Sequence, residues 1–286
     1  MIKNIFQFEA MSTPCELLIY APSKEAARTV AKEILLQTKE LEKKYNYFDP
    51  ASLVSHINAR KTQELDAQSK DILSRAKMFY EETKGIFDIT LATIKPLYKL
   101  DSLELLEKEK ERVLPYVGCE HFTIKKNKIF FDNPYTMIDL GGMVKEYAVD
   151  KAVMLLKKRK VQSALVNFGG DIYALGCKPD GRAFKIGIKN PKDPKEHLLY
   201  VELQNAALTT SASYERNTTI EGKSFSHILS KEEVKNGILS SSVLSNSALI
   251  SGVFSTALNI DSTLKSKYKT IKIDQNLEIH YENFDS

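Results

Sequence analysis

Two pairs of adjacent glycines stand out in a chain that holds only 12 glycines among 286 residues. Gly141-Gly142 lies between the apolar stretch around Ile138 and an amphipathic segment whose first turn carries Lys145. Backbone N–H groups at such a strand-to-helix turn, aided by the positive end of the helix dipole, favour an anionic ligand, and a lysine adds a full charge. The spacing is neither Gly-x-x-x-x-Gly-Lys-Ser/Thr nor Gly-x-Gly-x-x-Gly, which excludes a P-loop and the usual dinucleotide fingerprint. An ordinary tight turn is the alternative. Gly169-Gly170-Asp171 follows an apolar run and permits close approach of a ligand or of another backbone; a bulge between packed strands reads equally well. Asp88, shortly after Gly85, is a ligand-binding carboxylate or a turn-stabilising side chain, and without further context the turn is the better reading. His227 lies in an apolar segment, where imidazole could serve as a base near neutral pH; on the residues alone a satisfied core histidine is the better reading. The chain carries no Ser/His/Asp signature, no His-Glu-x-x-His and no EF-hand loop. Tyr147 and Tyr173 read as core.

The elements that must hold these residues follow from hydrophobic periodicity. Residues 15–20 read as a strand ended by Pro22, and Ser23 is a good N-cap for a helix running to about Asn46 with Ala27, Val30, Ile34, Leu41 and Tyr45 on one face. A second helix is predicted over 69–84, stopped at Gly85. A short charged helix with a leucine stripe fits 102–112. Residues 123–132 form a hairpin around Lys126-Asn127, and a helix follows Gly142 to about Arg159. Strands are expected at 163–172 with a Gly-Gly break, 183–188 and 198–203, with a loop over 189–194. Residues 242–260, apolar and rich in small side chains, read as one helix packed on a sheet, and strands at 270–273 and 277–281 close the chain. Interleaving of this kind predicts an α+β fold without a clean two-domain cut.

Composition removes several classes of function. The 41 basic and 37 acidic residues leave a net charge of +4, and only seven of the cations are arginine, which argues against nucleic acid. The three widely spaced cysteines, Cys15, Cys119 and Cys177, are no disulfide framework and read as free thiols. No apolar run is long enough for a membrane span. The sequence as given opens without a signal peptide, which points to the cytoplasm; a periplasmic or cell-envelope location fits if an export signal has been removed.

Read in order, the fragments resemble the FAD:protein FMN transferase, or ApbE-like, family. Met11-Ser12-Thr13 is similar to the family's Met-Gly-Thr, and Phe48, Ser52 and Asn58 to its Tyr-x-x-x-Ser-x-x-x-x-x-Asn. Gly85-x-Phe87-Asp88-Ile89-Thr90 followed by Pro96-Leu97 resembles Gly-x-Phe-Asp-x-Thr…Pro-Leu. Asp139-Leu140-Gly141-Gly142 with Lys145, Tyr147, Ala148 and Asp150 resembles Asp-Leu-Gly-Gly-x-x-Lys-Gly-Tyr-Ala-x-Asp. Asn167-x-Gly169-Gly170-Asp171, Thr210-Ser211 with Tyr214-Glu215-Arg216, His227-Ile228 and Ser255-Thr256-Ala257 complete the set.

The resemblance implies one α+β domain over 1–286, in which an antiparallel sheet and packed helices, arranged as a single body or two interleaved lobes, form an FAD cleft. It implies Mg²⁺-dependent transfer of FMN from FAD to a threonine hydroxyl of a target flavoprotein, with release of AMP. Met11, Phe48, Phe87, Asp88, Ile89, Asp139, Lys145 and Ile228 would contact FAD, His227 would help deprotonate the attacking hydroxyl, and the Gly142 carbonyl and Thr256 hydroxyl would face the metal. Four departures accompany it. Gly252 stands where the family has a metal-binding aspartate four residues before the threonine, and Glu146 replaces the glycine of Lys-Gly-Tyr. Ser230-Lys231 replaces Asp-Pro, and Ala212 replaces the glycine of Thr-Ser-Gly. With Gly252 in place of the acid, a non-catalytic FAD-binding protein is an alternative, as is an FAD pyrophosphatase giving FMN and AMP.

Overall fold

The computed structural model describes residues 1–212, 217–226 and 237–284. His227, Ile228, Tyr214, Glu215, Arg216 and the Ser230-Lys231 departure lie outside the described residues. An eight-stranded antiparallel sheet forms the centre of the molecule, in the order β1-β2-β5-β6-β9-β12-β13-β14. Its strands are β1 (Ile2–Ala10), β2 (Thr13–Ala21), β5 (Ser163–Phe168), β6 (Asp171–Leu175), β9 (Ala206–Ala212), β12 (Ile238–Ser245), β13 (Lys269–Asp274) and β14 (Ile279–Glu282). Hairpins β3 (Phe122–Lys125)–β4 (Lys128–Phe131), β7 (Phe184–Asn190)–β8 (Asp193–Leu203) and β10 (Asn217–Ile220)–β11 (Lys223–Ser226) complete the described strands.

Period-two alternation gives the central sheet two apolar faces. Leu17 and Ile19 of β2, Ala164 and Val166 of β5, and Tyr173 and Leu175 of β6 face the helices α1 (Lys24–Tyr45), α3 (Ala67–Glu82), α5 (Val144–Lys158) and α6 (Ala248–Ile260). Their neighbours Ile172 and Ala174, with Leu208, Ile271 and Ile273, face Phe184, Ile186 and Ile188 of the β7–β8 hairpin. Two short helices, α2 (Leu53–Asn58) and α4 (Leu103–Val113), lie in the long excursion between α1 and α5.

The expected helices form where predicted, with Ser23, Ser102 and Ser247 accepting N-capping bonds. Two expectations are corrected, and one strand had no counterpart among them. Residues 242–245 end strand β12 rather than begin a helix, because Ser245 and Ser247 close a turn and α6 starts at Ala248. The loop over 189–194 shrinks to Pro191 and Lys192, since β7 and β8 continue pairing to Asn190 and Asp193. Strand β1 was not anticipated: Phe6, Phe8 and Ala10 turn inward and Gln7 and Glu9 outward, but at its start Asn4 is buried while Ile2 and Ile5 are exposed, which blurs the alternation.

Candidate functional site: the Asp139–Glu146 run

The backbone entering the first glycine pair is held by side chains rather than by a sheet. The Asn58 amide donates to the Ile138 carbonyl at 2.9 Å and accepts from its N–H at 2.8 Å, pairing both backbone groups of a fully buried residue. Thr93 accepts from Met137 N–H at 2.9 Å, and the Ile89 carbonyl accepts from Asp139 N–H at 2.9 Å. Asp88 caps the 3₁₀ turn that begins at Ile89, accepting from Thr90 N–H at 2.8 Å and its hydroxyl at 2.5 Å. Asp88 and Ile89 are both buried, so their visible work is to set the turn on which Asp139 rests.

Asp139 accepts from Gly141 N–H at 2.8 Å through Oδ1 and forms an ion pair with Lys95 through Oδ2. The Lys95 ammonium also stands 4.6 Å from the ring centres of both Tyr47 and Phe48, which meet edge to face. Burial and then the Asp139 charge push the Tyr47 hydroxyl above its ordinary pKa. Phe48 is 70% exposed, an unusual position for a large ring and a suitable one for stacking against a flat ligand. Neither Lys95 nor Tyr47 was anticipated; the only signal was their adjacency to Pro96 and Phe48 in the family-like segments.

Gly141 and Gly142 are exposed at the head of α5, and a side chain on Gly142 would touch the Phe87 ring at 3.7 Å. Buried Phe87 therefore floors the turn. Met11 occupies the two-residue turn between β1 and β2, with φ of 53°, and its N–H donates to Glu42 at 2.5 Å. Gly169, also at positive φ, could not carry a Cβ, which would come within 2.1 Å of Thr13 Oγ1. The positive φ and the close approach of the Thr13 side chain explain that glycine without a ligand.

On the other side of the run, Lys145 pairs with the buried Asp171 at 2.5 Å. Glu146 is buried between α5 and α6, with its Oε2 facing no hydrogen-bond donor among the described residues. Burial, and then the Asp171 charge, raise its pKa well above the ordinary carboxylate value. Thr256, partly exposed on α6, exchanges a hydrogen bond of 3.0 Å with Ser211 of β9. The Gly142 carbonyl, the Thr256 hydroxyl and these carboxylates are all oxygen donors, the type that Mg²⁺ prefers. The structure thus connects Phe48, Phe87, Ile89, Asp88 and Asp139 to the glycine turn at one end and Lys145 at the other. His227 and Ile228 lie outside the described residues.

Sheet, helices and site together define an α+β protein with an exposed glycine turn at a helix head, flanked by an aromatic–lysine platform and a buried acidic pocket. Residues 11–278 match the ApbE family, and the chain belongs to it. It is 23% identical over 254 residues to an FAD:protein FMN transferase of Vibrio cholerae, covering 85% of this chain and 76% of that protein. A Chlamydia pneumoniae protein of the same name is 28% identical over 238 residues, covering 78% and 74%. Among solved structures, the ApbE protein of Thermotoga maritima superposes with a TM-score of 0.87 at 24% identity, covering 98% and 97% of the two chains. The flavinyl transferase ApbE of Pseudomonas stutzeri gives 0.85 at 21%, covering 99% and 96%. These structures share the fold of this chain.

Proposed function

We propose that the chain is an FAD:protein FMN transferase that moves FMN from FAD to a threonine hydroxyl of a target flavoprotein and releases AMP, with Mg²⁺ bound. The supporting observation is that Asp139–Glu146 joins an exposed aromatic platform to an exposed helix-head turn. A dinucleotide matches that layout, with flat rings at its ends and a pyrophosphate between. Phe48 and Tyr47 offer a surface for a ring, and Lys95 and Asp139 fix its polar edge. The Gly141-Gly142 turn presents backbone to the pyrophosphate while Lys145 brings a positive charge nearby. In the transfer, the threonine oxygen bonds to the FMN phosphorus, the P–O bond to AMP breaks, and the hydroxyl proton passes to a base, the role assigned to His227. Gly142 and Thr256 would hold Mg²⁺, which when bound supplies charge neutralisation at the phosphates.

Incubation with FAD, Mg²⁺ and a threonine-bearing acceptor should yield a covalently fluorescent acceptor and one AMP per flavin. Replacing the acceptor threonine by alanine should abolish the label. Free FMN with AMP would identify a pyrophosphatase instead, and bound FAD with neither product a non-catalytic binder.

A further inference from the structure

Gly252 is where the family resemblance leads one to expect a carboxylate, yet the space beside it is already filled. A Cβ built on Gly252 would lie 2.5 Å from Glu146 Cγ, 3.0 Å from its Cδ and 3.2 Å from Oε1. The glutamate on α5 thus lies over the one residue of α6 that lacks a side chain. On α6, Thr256 follows Gly252 by four residues, one helical turn on the same face, while Glu146 sits in the first turn of α5, just after the Gly141-Gly142 turn. Glu146 is 7% exposed, its Oε2 has no donor among the described residues, and a second carboxylate, that of Asp171, stands beside it with Lys145 as that acid's ion-pair partner. Two acids in one buried pocket are costly unless a cation or proton joins them. Packing alone gives no reason to bury a glutamate here, because an apolar side chain of the same length would fill the notch without that cost.

We propose that Glu146 is the carboxylate ligand of the divalent cation, delivered from α5 across Gly252 rather than from position 252 on α6. Glycine and acid have exchanged helices, and the oxygen donor set stays complete. Asp171 already has Lys145 as its cation and is not assigned as a ligand. The inference rests on the Mg²⁺-dependent reading above.

The test uses Mn²⁺ as the probe, titrated into the full chain with and without FAD and followed by the loss of the free-ion paramagnetic resonance signal. Glu146→Gln keeps the shape and removes the charge; it should weaken Mn²⁺ binding by at least about tenfold, the scale on which even outer partners of a metal act, while FAD binding in chelator is unchanged. Gly252→Asp alone should lower the melting temperature, since its side chain collides with Glu146. The exchange Glu146→Gly with Gly252→Asp should recover Mn²⁺ binding to within a few fold of the natural chain. Mn²⁺ binding by Glu146→Gln equal to that of the natural chain overturns the proposal. If that variant does not fold, failure of the folded double exchange to bind Mn²⁺ overturns it equally. A natural chain that binds FAD but takes up no Mn²⁺ at any concentration would instead remove the metal-dependent reading on which the proposal rests.

Discussion

Phe48 combines two properties that seldom meet: a large ring mostly in solvent, and a cation fixed over it by an ion pair to Asp139. Its removal should cost binding and not stability. Phe48→Ala is expected to weaken FAD binding by about 1–3 kcal/mol, the usual worth of a stacked base, with the melting temperature within about 1 °C of the natural chain. Calorimetry and thermal denaturation read the two quantities separately. A large loss of stability would show that the ring is structural. Sequence and structure part company at this scale in an instructive way. Gly252 and Glu146 were each legible as departures, but they are 106 positions apart, and only their contact makes them one change. Asp139 was legible because it lies in a dense local motif, whereas Lys95, which locks it, reaches it from another segment.

Among the elements, α6 owes its start to a residue on another helix. Asp150 of α5 accepts from the Ser247 hydroxyl at 2.6 Å and from the Ala248 and Leu249 N–H groups at 2.8 and 3.1 Å. Asp150→Ala strands those donors and is expected to cost about 2 kcal/mol, a fall of roughly 4–8 °C in melting temperature. Because α6 carries Gly252 and Thr256, Mn²⁺ affinity should fall with it. At the head of α3, Asp66 caps through Ser69 N–H at 2.8 Å and pairs with Lys44 at 2.5 Å. Partial burial works to raise its pKa, but the bonds from Lys44 and Ser69 outweigh it and hold the carboxyl down at about 2. A depressed acid stabilises the fold above its unfolded pKa near 3.9 and loses that contribution as pH falls toward 2. Asp66→Asn, which can still cap, should lower the urea midpoint at pH 7 and match the natural chain by about pH 2. Long elements such as α1 were legible because their apolar stripe repeats over many turns. The six-residue α2 has too few turns for a stripe, and the β12–α6 boundary is hidden because both sides are small and apolar.

At the scale of the whole molecule, one sheet separates two apolar layers, and the candidate site belongs to one of them. Strand β6 shows the division: Tyr173 and Leu175 enter the helix layer, Ile172 and Ala174 the hairpin layer. Asp171 shares the parity of Tyr173, so it points toward α5, where Lys145 meets it. The β7–β8 hairpin should therefore contribute stability without shaping the site. Phe184 of β7 is 2% exposed among Ile172, Ile271 and Leu203. Phe184→Ala is expected to cost about 3–5 kcal/mol through lost burial and the cavity left behind. At a temperature where the variant remains folded, its FAD affinity should stay within about twofold of the natural chain, because effects of distant sites without shared partners add independently. Asp139→Asn should do the reverse, weakening FAD binding more than it lowers stability, since its bond to Gly141 N–H survives in the amide and only the pair with the partly exposed Lys95 is lost. Denaturant titration and flavin binding on the two variants separate the layers. If Phe184→Ala weakens FAD binding as strongly as Asp139→Asn does, the hairpin layer shapes the cleft and the division across the sheet is wrong.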